Sequence, residues 1–156
     1  MNNLRKLLLH LVLTLIMTII HHVYGANIYK DAFRLHVVFA AVPVLAILIL
    51  SYRTMLASRN SLLRKTSSVC FILSAGLSAI AIGVYEGGYN HLVKNILYFG
   101  GVPVQILNRL YPSIYELPND FFFEFTGILQ FATGVLSIVY ARRTDFRKLI
   151  SVPDKK

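Results

Sequence analysis

Four long apolar runs punctuate this chain. They cover residues 4–24, 33–52, 67–85 and 121–140. At about 1.5 Å of rise per residue, each is long enough as a helix to cross roughly 30 Å of hydrocarbon. The third run carries no charged residue and the fourth carries only Glu124. Pro43 interrupts the second, an interruption that neighbouring helices of a membrane protein accommodate. The pattern predicts an all-α integral membrane protein. Its expected architecture is four transmembrane helices in an up-down bundle, one membrane domain over residues 1–156.

The connection at 86–118 is too long and too apolar for a simple loop. Tyr89, Leu92, Val93, Ile96 and Leu97 share one helical face, with Asn90, His91, Lys94 and Asn95 opposite. This spacing predicts a short amphipathic helix in the membrane interface, broken by Gly100-Gly101. A second short helix opens at Pro103, and Asn119 is the expected N-cap of the last span. The two short helices form either a lid over a site or a rest on lipid. Ala75, Ala79, Gly83 and Gly87 recur every fourth residue, a strip of small side chains that lets another helix approach closely.

The first run has a rival reading as a secretory signal, with Arg5 and Lys6 before the apolar stretch and a cleavage position before Ala26. A polar stripe argues for retention. His10, Thr14, Thr18, His21 and His22 fall on one helical face, which suits a packed helix. Each threonine can also simply bond the carbonyl one turn back.

Composition agrees with the membrane assignment: 56% of the 156 residues are hydrophobic and Trp is absent. The net charge of +9 does not point to nucleic acid, because the basic residues flank apolar runs instead of lining a soluble face. Arg5 and Lys6, then Arg53, Arg59, Arg64 and Lys65, then the basic tail of 141–156, hold twelve of the 16 Lys and Arg. Lys30, Arg34, Lys94 and Arg109 remain for the other side. Positive charge concentrates in cytoplasmic connections, so both termini are expected in the cytoplasm of a multi-pass protein of a bacterial-type inner (plasma) membrane. The single Cys70 excludes an internal disulfide and a cysteine metal cage.

With this orientation the outer side collects most of the reactive groups. His22, His36, Glu86 and Glu124 each belong to a different span near one depth, and Glu124 shares its face with Gly127 and Gly134. His36 shares a face with Ala40 and Pro43, which would turn it inward. Imidazole plus carboxylate from facing helices is a ligand set for a divalent metal ion, Zn, Mn or Fe. The expected ligands are therefore His22, His36, Glu86 and Glu124. His21 and His91 are secondary candidates, His91 because it falls on the solvent side of the lid helix. Copper(I) would want sulfur at this end, and no feature marks a haem pocket. No HExxH, nucleophile elbow or phosphate loop occurs.

Three functions remain open from sequence. The first is a metal site for catalysis or metal handling. The second is a non-catalytic subunit or assembly factor of a larger membrane complex, its His/Glu cluster a structural hydrogen-bond network. The third is a small proton-coupled transporter, which at this length requires a homo-oligomer. The lipid bilayer is a partner in all three.

Overall fold

The computed structural model describes residues 2–111 and 116–150, and within these it is helical with no strand. Residues 112–115 of the expected lid and 151–156 of the basic tail lie outside the described residues. Four helices are long and apolar enough to cross a membrane. They are α1 (Asn2–Ile28), α2 (Leu35–Ala57), α3 (Ser61–Phe99) and α5 (Phe121–Arg142); α4 (Val104–Leu110) and α6 (Phe146–Ile150) are short. α1 packs against α5 and α2, α2 against the first part of α3, and the later part of α3 against α5.

α1 runs a turn further than the apolar run suggested, so the histidine pair lies inside the helix and not at its end. It closes on Lys30, whose φ of 53° is left-handed, with the Asp31 amide donating to the Ala26 carbonyl at 3.2 Å. This is the reverse-turn stop usually built on glycine. Asp31 then caps a 3₁₀ turn at Ala32–Arg34 by accepting from the Phe33 amide at 3.0 Å.

The largest departure from the sequence expectation is in α3. The amphipathic stretch read as a separate lid helix is the continuation of the third span, which extends unbroken over 39 residues. Gly87-Gly88 does not end the helix, because it is held against α5. A Cβ on Gly87 would come within 2.8 Å of the Gly127 carbonyl oxygen, and one on Gly88 within 2.8 Å of the Phe131 ring. Over Ser78–Val93 the helix is wound in the wider π register, a rare form that concentrates at functional sites. Gly83 meets Gly134 in the same way, a Cβ on either glycine falling 2.5–2.6 Å from the other's Cα. The small-residue strip is therefore a real contact surface.

The interior is layered. Leu4, Leu7, Leu11 and Leu15 of α1 join Leu48, Met55, Phe71, Ala75 and Ala79 in an apolar core at the end that holds the α2–α3 connection. Further along α1 the buried residues turn polar: Thr14, Thr18, His21 and His22. Thr14 and Thr18 bond the carbonyls one turn back, and Thr14 also donates to Thr133 of α5 at 2.8 Å. Large apolar side chains face outward instead, among them Leu9, Phe39, Leu50, Leu73, Ile80 and Phe121.

α5 starts at Phe121, where the apolar run begins, but its cap is Asp120, one residue after the expected Asn119. Asp120 accepts from the Phe123 amide at 2.8 Å, while Asn119 accepts from the Tyr29 hydroxyl at 2.6 Å. α2 presents Ala41, Leu48, Ser51 and Met55 inward, so the face carrying His36, Ala40 and Pro43 points out. The inward orientation expected for His36 is corrected accordingly.

Candidate metal centre

Three of the long helices send side chains to one buried point. α1 supplies His21 and His22, the π-wound part of α3 supplies Glu86, Asn90 and His91, and α5 supplies Glu124 and Thr126. His21, Glu86 and His91 form a group that can hold a metal ion, with one ligand atom from each lying within 4.8 Å of the others. Around a tetrahedral ion with bonds of about 2.0–2.2 Å, neighbouring ligand atoms sit roughly 3.3–3.6 Å apart. The His91 Nε2 to Glu86 Oε1 separation is 3.9 Å, a few tenths of an ångström above that spacing.

Each member of the trio is oriented by a second group. The Thr126 hydroxyl donates to the carbonyls of Phe122 and Phe123 at 2.9 and 3.0 Å. Toward His21 its oxygen therefore accepts, the Nδ1–H of His21 donating at 3.0 Å. That leaves His21 Nε2 as a buried lone pair with no hydrogen-bond partner. His91 donates its Nδ1–H to Glu124 Oε2 at 2.8 Å, which makes its Nε2 the basic nitrogen. Asn90 donates to Glu86 Oε2 at 2.8 Å and holds Oε1 toward the imidazoles. Ligating histidines characteristically give their other N–H to a carboxylate or a similar acceptor, which fixes tautomer and ring direction together.

Glu124 is saturated by other contacts. It accepts from His91, from Asn95 at 2.6 Å and from the Lys94 ammonium at 3.3 Å. Lys94 is 1% exposed and also donates to the Glu116 carbonyl at 2.5 Å. The Glu124 carboxylate thus neutralises a buried cation and orients His91. Burying either charge alone would be costly.

The aromatic floor is Phe123, stacked on His21 at 3.9 Å and edge-on to His91 at 5.2 Å. The Arg34 guanidinium lies over it at 5.5 Å and over Tyr29 at 4.8 Å, and pairs with Asp31 and Glu116 at 3.5 and 3.6 Å. Burial, followed by the charges of Glu124 and Asp120, pushes the Tyr29 phenol up to about 12, so it stays a donor.

Of the six residues read from sequence, His21, His22, Glu86, His91 and Glu124 come together. Within that set His21 and His91 are central. His91, expected on the solvent side, is 2% exposed because the helix that carries it runs on into the bundle instead of lying on the membrane. His22 Nε2 is 3.9 Å from Glu86 Oε1, and neither of its ring nitrogens has a hydrogen-bond partner. His36 stands apart, exposed on α2, its Nδ1–H donating to the Phe33 carbonyl at 2.5 Å. Sequence reading missed Asn90, Asn95, Phe123 and Thr126, whereas Lys94 is an expected partner of the cluster in the hydrogen-bond-network reading and does pair with Glu124. Glu86, Asn90 and Lys94 do recur every fourth residue, and that register was the available sign that the helix continues past Tyr85. Comparison with protein-family models, with curated proteins and with solved structures gave no match to this chain.

Proposed function

We propose that this chain is a multi-pass membrane protein of up-down four-helix architecture, with both termini cytoplasmic. Its outward end binds a divalent transition metal through His21, His91 and Glu86, for a catalytic or metal-handling role. One observation carries the reading. Ligand atoms of His21, His91 and Glu86 lie within 4.8 Å of one another, and each of the three side chains is held by a hydrogen bond at its other polar atom, Nδ1 of the two imidazoles and Oε2 of the carboxylate. A set of two histidines and one carboxylate suits catalytic zinc and non-haem iron(II), and manganese accepts the same donors. His22 is a fourth donor beside Glu86. Glu124 acts on the metal through His91.

The membrane setting is supported by the inverted distribution of side chains, polar groups buried and large apolar ones exposed on all four long helices. The orientation rests on the basic residues of the termini and the α2–α3 connection.

Elemental analysis of detergent-purified protein tests the site. Zinc, iron or manganese should be present in stoichiometric amount, and lost in His91→Ala and Glu86→Gln. A second reading is favoured by the saturation of Glu124 and by α2, of whose apolar stretch only 11% is buried. In it the cluster is a structural network, and α2 packs on another subunit. That reading expects metal-free protein, a copurifying partner, and tolerance of His91 substitutions.

A further inference from the structure

A cavity of about 150 Å³ lies against Glu86, the least buried member of the trio. His22, Asp31, Arg34, His36 and Glu86 line it. Its outer residues are exposed or half-buried, whereas His22 at its inner end is 6% exposed. Resting on the metal site proposed above, we infer that this cavity is the route by which a divalent cation reaches that site, with His36 and Asp31 as its first ligands and His22 as the relay.

Donor atoms mark the route at each stage. The Phe33 carbonyl takes the Nδ1 proton of His36, so Nε2 of this exposed ring is a lone pair. His22 has two buried ring nitrogens with no hydrogen-bond partner, and the residue lines the same cavity. Glu86 Oε1 lies 3.9 Å from His22 Nε2 and 3.9 Å from His91 Nε2. One carboxylate oxygen therefore serves both the relay and the final site, and an ion moving inward exchanges one imidazole for another without losing its anionic ligand. The charge around the cavity also favours a cation. Arg34 is the one cationic side chain among the described residues that line it, and the carboxylates Asp31 and Glu116 flank its guanidinium while Glu86 adds a further negative charge. An anion would meet that excess, and a divalent cation is drawn by it.

Cobalt(II), whose visible absorption reports nitrogen and oxygen coordination, is the probe. Metal-free full-length protein in detergent is mixed with it in a stopped-flow instrument, and release is followed into excess chelator. His36→Ala and Asp31→Asn sit on the surface, and asparagine preserves the cap on the Phe33 amide. The double variant should load at least about tenfold more slowly than the parent chain, the lower end of what electrostatic focusing contributes to capture. Stoichiometry and affinity should not change, so release must slow by the same factor. Unchanged rates in the double variant overturn the route and leave the site intact. Weaker affinity with unchanged loading also overturns it, because His36 or Asp31 would then be a ligand at equilibrium. No cobalt bound by the parent chain overturns both the route and the site.

Discussion

The imidazole of His91 lies directly on the backbone of Gly127, so close that a single methyl group at 127 would overlap the ring. α3 and α5 are therefore registered by the site itself. Gly127→Ala should displace His91 from Glu124 and cost about 1–3 kcal/mol through overpacking. Thermal unfolding in detergent measures the loss, and metal content should fall in the same variant. Wild-type metal content in Gly127→Ala would show that His91 is not a ligand.

Glu86 and Glu124 make different contributions, and substitution should separate them. Glu86→Gln removes a proposed ligand and should abolish binding. Glu124→Gln keeps a hydrogen-bond acceptor for His91 and should weaken metal affinity by about 10–100-fold, the range seen when an orienting partner is lost. Competition against a chromophoric chelator reads both. Equal effects in the two variants would contradict the division of roles.

Glu86 and Asn90 also show what the sequence could and could not reveal. Four long helices were legible because apolar runs of about 20 residues seldom form anything but a helix. Glu124 was legible as an inward group because it shares a face with Gly127 and Gly134. The extent of α3 was not, since Gly87-Gly88 reads equally as a helix stop and as a helix contact, and only the position of α5 decides between them. His91 was placed on the wrong side by that one ambiguity. His36 failed for another reason. The inward face of α2 is chosen by Leu48 and Met55 packing on the apolar core, a long-range fact that the local sequence does not carry.

The Gly83–Gly134 contact should govern stability without being part of the site. Gly83→Leu and Gly134→Leu both force α3 from α5 where the backbones nearly touch. Either should lower the melting temperature and expose Cys70, now half-buried, to a thiol reagent at a faster rate. Normal melting in both variants would mean that the helices do not pack this closely.

Topology is open to direct measurement. A reporter active only outside the cytoplasm should work when fused after Lys30 or Gly101 and fail after Asn60 or Arg143. Activity at Asn60 would invert the protein and place the metal site on the cytoplasmic side. Intact mass of the purified chain is the companion measurement. A mature protein starting at Ala26 would lack His21 and His22 and could not form the site.

His21 and His22 lie in α1, Glu86 and His91 in α3, and Glu124 and Thr126 in α5, so the centre is complete only when helices far apart in sequence have come together. A nascent chain halted before Phe121 carries Lys94 and His91 without their carboxylate partner. Such a chain leaves the Lys94 ammonium and the His91 Nδ1–H without the acceptor that Glu124 provides. The proposed ligands His21, Glu86 and His91 all lie in α1 and α3, so what α5 adds is no ligand of its own but the carboxylate of Glu124, which fixes the direction of a ring carried by another helix.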